Sequence, residues 1–128
     1  YLGKKKYLDI FGNDFNTHDG TGVRDYIHIH DLIVGHFKVI DFLNKNSGCH
    51  IWNLGNGIGY SVLDVINEFE HTIKRSIPKK FVERRNSDLD KYWADPRKAH
   101  KELKWIAEKN LGDMVTDLIR FVKKQKYT

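Results

Sequence analysis

The sequence predicts an α/β chain of mixed strands and helices, and three observations carry that reading. Short β-branched or aromatic runs alternate with longer runs whose apolar residues recur at helical spacing. Glycine, proline and capping residues fall at the junctions between the two kinds of run. The composition, 40% hydrophobic and 30% charged over 128 residues, supplies a core of single-domain size and too many aromatics for a disordered chain.

Leu8–Phe11 reads as a first strand, closed by the turn Gly12-Asn13-Asp14 and a polar loop over residues 16–22. Residues 23–29 are β-branched and aromatic and read as a second strand. Asp31 then stands as N-cap of a helix carrying Leu32, Ile33, Phe37, Ile40, Phe42 and Leu43, with Gly48 just past its end. Residues 50–54 read as a third strand leading into Gly55-Asn56-Gly57-Ile58-Gly59. Ser61 caps the next helix, which sets Val62, Val65, Ile66, Phe69 and Ile73 on one face. Pro78 ends that pattern before a fourth strand at residues 80–83, and residues 84–92 form a charged loop. Asp95 as N-cap and Pro96 at the first position open a short helix bearing Ala99 and Leu103, with Trp105 on its apolar side. A last amphipathic helix from Leu111 to about Lys124 buries Met114, Val115, Leu118, Ile119 and Val122.

The net charge of +5 raises the question of nucleic acid. The lysines flank turns or lie on helical stretches without basic-aromatic interleaving, so no nucleic-acid partner is expected. No apolar run approaches the ~20 residues that span a bilayer, so no membrane association is expected either. The basic start of the chain has no apolar segment behind it, unlike a signal peptide. Cys49 has no second cysteine to pair with, which suits a reducing compartment, the cytoplasm.

Several short motifs carry less than their first look suggests. The loop Gly55–Gly59 resembles a dinucleotide fingerprint, but its third glycine comes one residue early; it reads as a tight turn, with a ligand at the following helix start left open. Tyr1 and Lys5 have Tyr-x-x-x-Lys spacing, but a glycine interrupts them and nothing marks them as a helical pair. His28 and His30 share one face of the second strand without a third convergent ligand, so no metal site is expected. Two segments weigh more. Arg24 and Tyr26 share a strand face, and Arg84-Arg85-Asn86-Ser87-Asp88 sets two guanidiniums before a carboxylate. Arginine forks match phosphate oxygens and a carboxylate accepts from vicinal hydroxyls, which suits a diphosphate plus a ribose; surface ion pairs explain the same residues.

The blocks Ile10-Phe11-Gly12-Asn13-Asp14, Asp19-Gly20-Thr21-Gly22-Val23-Arg24-Asp25-Tyr26-Ile27-His28, Asn53-Leu54-Gly55-Asn56-Gly57, Ser61-Val62-Leu63-Asp64-Val65, Arg84-Arg85 with Asp88, and Tyr92-Trp93-Ala94-Asp95 stand in one order with no large gaps. In these the chain resembles the UDP-glucose 4-epimerases, extended short-chain dehydrogenases/reductases, and specifically their C-terminal part. The resemblance implies that residues 1–128 form one UDP-sugar-binding domain of an NAD-dependent Rossmann-type enzyme. NAD, the catalytic Tyr-x-x-x-Lys and the homodimer contacts belong to an N-terminal half, so this chain alone is expected to be inactive, with no catalytic, cofactor-binding or metal-ligating residue. It further implies that Phe11, with Asp9 and Ile10, lies against uracil, and that Arg24 and Arg85 hold the diphosphate. Asp88 takes the ribose hydroxyls, Tyr26 and Val62 line the nucleotide site, and Tyr92 borders the sugar. The substrates so implied are UDP-glucose and UDP-galactose, interconverted through a 4-keto intermediate. Ser87 stands where the family usually has glycine, and Asp9 where it often has a small or neutral residue. The alternatives are a nucleotide-sugar dehydratase or decarboxylase of the same superfamily, and a non-catalytic nucleotide-sugar-binding module.

Overall fold

Short strands need partners from elsewhere in the chain, and here two separate ladders supply them. The structure is a computed structural model that describes residues 5–125; Tyr1 of the Tyr-x-x-x-Lys spacing lies outside the described residues. Strand β1 (Leu8–Phe11) pairs in parallel with β4 (Lys79–Val82), Leu8 opposite Lys79 and Phe11 opposite Val82. The second sheet is centred on β2 (Val23–Asp25), antiparallel to β3 (Gly59–Ser61) and parallel to β5 (Lys91–Tyr92). Four helices complete the described chain: α1 (Ile29–Leu43), α2 (Val62–Ile73), α3 (Arg97–Leu103) and α4 (Leu111–Gln125). The mixed α/β class expected from the sequence is the class observed.

Two apolar clusters hold these layers. In one, Leu111, Val115 and Ile119 of α4 form a row four residues apart and meet Val65, Phe69 and Ile73 of α2, a row with the same spacing. In the other, Ala99, Leu103 and Trp105 are buried beneath Val34 and Phe42 of α1 and the segment bearing Trp52 and Leu54. The start of α2 is set locally: Ser61 Oγ accepts from the Asp64 N–H at 2.9 Å, and the Asp64 carboxylate accepts from the Ser61 N–H at 2.9 Å.

Several boundaries differ from expectation, each for a physical reason. The second strand stops at Asp25, and residues 29 onward are helical because His28 is the N-cap of α1: its Nδ1 accepts from the His30 N–H at 3.0 Å. The two histidines therefore do not share a strand face. Asp31 is not the cap. It is 3% exposed, and its carboxylate accepts the N–H groups of Glu108 and Lys109 at 3.1 and 2.9 Å, while its carbonyl accepts from Trp105 Nε1. Residues 50–54 form no ladder; no strand lies beside them among the described residues, and Ile51 is 75% exposed. The fourth strand begins one residue earlier than expected, at Lys79, and the charged loop contains the unexpected β5. Pro96 rather than Asp95 is the N-cap of α3, but Asp95 Oδ1 still accepts the Arg97 N–H at 3.1 Å. Hydrogen bonds from the Arg97 guanidinium hold the Asp95 carboxyl at about 2. Leu118 is exposed rather than buried, as are Ile33, Phe37 and Ile40 along one side of α1. No helix among the described residues is long and apolar enough to cross a membrane.

Asp31 joins the start of α1 to the turn before α4 through charge-assisted bonds. Asp31→Ala should lower stability by about 2–3 kcal/mol, since two part-buried N–H groups lose their charged acceptor. In urea the unfolding midpoint should fall with an unchanged slope; a midpoint equal to the parent's contradicts the role given to this carboxylate.

Candidate functional site

Strand β2 is three residues long, and its middle residue carries the main cation of the site. Arg24 lies opposite Tyr60 of β3 on one side and Tyr92 of β5 on the other. Its Nη1 donates to the carbonyls of Val23 and Leu89, each at 2.8 Å, which fixes the guanidinium against the charged loop. Its Nη2 stands 3.9 Å from the Asp88 carboxylate. From the other side Arg85 Nε approaches the same carboxylate at 3.6 Å. Two guanidiniums thus converge on one anion, with Asp88 mostly covered and Arg85 mostly open to solvent.

The guanidinium of Arg85 also lies over the Phe11 ring, 4.5 Å from its centroid. Phe11 ends β1 and leaves 42% of its surface exposed; a cleft of about 500 Å³ is lined by residues 12–14 and 81–84. An exposed aromatic face beside two cations and a carboxylate offers stacking, charge pairing and hydrogen-bond acceptance within one surface. Tyr26, one residue past β2, is half-buried; burial pushes its phenol up from the ordinary value against the opposing pull of Arg24, so it remains a neutral hydroxyl. Tyr92 is 65% exposed at the far edge of the same sheet.

Of the residues singled out from the sequence, Phe11, Arg24, Arg85, Asp88 and Tyr92 are brought together by direct contacts or strand pairing. Val62 starts α2 and is held beside the start of β2, its N–H donating to the Gly22 carbonyl at 3.2 Å. The Asp9 side chain turns to Lys80, at 3.2 Å across the β1–β4 ladder. Arg84 parts company with Arg85: it stacks on Phe15 at 4.1 Å and donates to the Asp88 carbonyl at 3.1 Å, so it braces the loop.

Asp25 is the residue that sequence reasoning missed. Its carboxylate accepts three backbone N–H groups, those of Asn56 at 2.9 Å and of Gly57 and Ala94 at 3.1 Å. The glycine turn packs directly on it: a Cβ on Gly55 would stand 2.5 Å from both Asp25 Oδ2 and the Ala94 side chain, and Gly57 has a φ of +73°. The reading as a tight turn holds, and the two N–H groups that could have faced an anion are engaged by Asp25. A turn rich in unpaired N–H groups needs an acceptor, but Asp25 stands 31 residues before Asn56 in the chain, so no local spacing marks it as that acceptor.

Elsewhere, His18 Nε2 lies 3.4 Å from carboxylate oxygens of both Asp19 and Asp64. Both carboxylates are already bound inside the fold: Asp64 in the α2 capping box, Asp19 by Ser61 Oγ and Thr21. Burial raises the Asp19 carboxyl, but these hydrogen bonds outweigh it and hold the group below the ordinary value.

Comparison with known proteins places this geometry. A family model described as GDP-mannose 4,6 dehydratase matches residues 1–118. A UDP-glucose 4-epimerase of Haemophilus influenzae is 50% identical over 116 residues, which cover 91% of this chain and 34% of that protein. The crystal structure of a UDP-glucose 4-epimerase from Bifidobacterium longum in complex with NAD+ and UDP superposes with a TM-score of 0.85 at 46% identity, over 89% of this chain and 34% of that one. A second, from Stenotrophomonas maltophila with bound NAD and formylated UDP-arabinopyranose, gives a TM-score of 0.91 at 39% identity, over 94% of this chain and 36% of that one. The chain spans about a third of the length of the relatives it matches. By the match over residues 1–118, this chain belongs to the GDP-mannose 4,6 dehydratase family, and over nearly its whole length it is similar to part of the UDP-glucose 4-epimerases.

Proposed function

We propose that this chain is the part of a UDP-glucose 4-epimerase that grips the UDP-sugar, in a longer protein that interconverts UDP-glucose and UDP-galactose. The observation that carries the reading is the convergence of Arg24 and Arg85 on Asp88 beside the exposed ring of Phe11. Phe11 offers its face to uracil, with Asp9 and Ile10 presenting backbone beside it. Arg24 and Arg85 pair with the diphosphate, which exchanges one anionic partner for another. Asp88, relieved of the two guanidiniums, then turns to the ribose hydroxyls. Tyr26 and Val62 line the nucleotide, and Tyr92, across the sheet from Arg24, borders the hexose.

NAD, present in the relatives' complexes, does not fit the residues of this chain. The glycine turn that could cradle a pyrophosphate is closed by Asp25. We assign the cofactor to another part of the complete protein, and with it the chemical step. What this chain's residues do is bind, orient and discriminate.

Two measurements on the full-length enzyme carrying this segment test the assignment. Arg85→Ala removes a charge-assisted contact, so the Kd of UDP should rise by about one to two decades, with uridine affected far less. Calorimetric titration with both ligands decides it, and equal losses for the two contradict a diphosphate contact. Tyr92→Cys removes a ring that would occupy the volume of a 2-acetamido group. The kcat/KM ratio of UDP-N-acetylglucosamine to UDP-glucose should rise by about one to two decades, the cost of overfilling a packed wall; an unchanged ratio takes Tyr92 out of the sugar pocket.

A further inference from the structure

The strand that carries Tyr92 is two residues long and, among the described residues, pairs with β2 alone. Such a ladder cannot fix a side chain by itself, and the chain on either side of it is anchored instead by the three consecutive residues of β2. Upstream of Tyr92, the Leu89 carbonyl receives the Arg24 guanidinium at 2.8 Å, and the Asp90 carbonyl accepts the Val23 N–H at 2.9 Å. Downstream, the Ala94 N–H donates to the Asp25 carboxylate at 3.1 Å. The same carboxylate holds Asn56 and Gly57, so the stretch after Tyr92 is locked to the glycine turn as well as to β2. Between the two anchors Trp93 lies over Gly59, where an added Cβ would meet its ring at 2.9 Å. Arg24 and Asp25 therefore grip β5 from both ends, one by donating to a carbonyl before Tyr92 and the other by accepting from an N–H after it.

We propose that Asp25 is a positioning residue of the UDP-sugar site, one that touches no ligand and sets where Tyr92 stands relative to Arg24. The assignment rests on the proposed function, under which Arg24 meets the diphosphate and Tyr92 meets the hexose. The spacing between those two side chains then sets how phosphate and sugar ring are held relative to each other. A loosened downstream anchor lets the Tyr92 wall shift while Arg24, Arg85 and Phe11 keep their own contacts. Loss should accordingly fall on the sugar end of the ligand and spare the nucleotide end.

The test uses the full-length enzyme carrying this segment. Asp25→Asn keeps the shape but replaces one acceptor oxygen by a donor facing backbone N–H groups. The KM for UDP-glucose should rise about tenfold with kcat within about twofold, and the Kd of UDP should change by less than about threefold. Gly55→Ala provides a second route that leaves the carboxylate in place, since its methyl would stand 2.5 Å from Asp25 Oδ2 and the Ala94 side chain. It should give the same pattern, and it carries the test if Asp25→Asn does not fold. A lower melting temperature with an unchanged ratio of UDP-glucose to UDP affinity marks a role in stability alone and overturns the assignment. Equal losses for the two ligands overturn it too. A wild-type enzyme that binds no UDP-glucose overturns the proposed function and this assignment with it, so the two failures are told apart by the unmutated protein.

Discussion

Loops in this chain are held by carboxylates that accept backbone N–H groups, and the small sheets make that necessary. With ladders of two and three strands, much of the backbone lies outside regular hydrogen bonding, yet buried N–H groups must find acceptors. Asp19, Asp25 and Asp31 supply them at intervals of six residues. Asp19 takes the Thr21 N–H and the hydroxyl of Ser61, Asp25 takes Asn56, Gly57 and Ala94, and Asp31 takes Glu108 and Lys109. Each joins the segment around β2 to a stretch more distant in sequence. These joints add charged hydrogen bonds to the ladder and apolar contacts that already tie α2, the glycine turn and the start of α4 to the centre, and they fix distance more sharply than apolar contact does.

The same logic separates what the sequence disclosed from what it hid. Elements set by local chemistry were legible: the Ser61 cap, the break at Pro78 and the apolar row of α4 depend on neighbours within one or two helical turns. Elements that depend on distant partners were not. Residues 50–54 have strand-like residues but pair with no strand among the described residues, and β5 exists because β2 lies beside it, with nothing in its own two residues to announce it. Asp31 has the chemistry of a cap and the position of one. It became a tertiary acceptor because the turn at residues 108–109 offers two N–H groups that its carboxylate reaches, while His28 meets the local need.

At the site, the charges were readable and their division of labour was not. Arg84 and Arg85 are adjacent and chemically identical, but one stacks inward on Phe15 and the other outward on Phe11. The inner guanidinium, ion-paired with Asp14 and Asp90 at 3.7 Å, shapes the loop so that the outer one can face solvent and Asp88. Because Arg85 is largely exposed, its attraction for an anion is screened by salt, whereas Arg24, half-covered and bound to two carbonyls, is screened less.

Strand alternation gives the neighbours Arg24 and Asp25 opposite faces of the sheet, one toward the charged loop and one under the glycine turn. A slip of a single residue would exchange them, placing an anion among the cations and a guanidinium against backbone N–H groups. The ladders with β3 and β5 and the bonds of Arg24 and Asp25 oppose the slip, and the loop before β2 adds to them. That loop is cross-tied by Phe15 to Gly20 at 3.0 Å, by the Thr17 hydroxyl to the Thr21 carbonyl at 2.7 Å, and by Asp19 to Thr21 at 2.8 Å. Polar and rich in glycine, it has the composition of a surface linker that would absorb insertions. Its internal bonds make it a spacer of defined length, so adding or deleting one residue there sets those bonds against the register of the strand that follows.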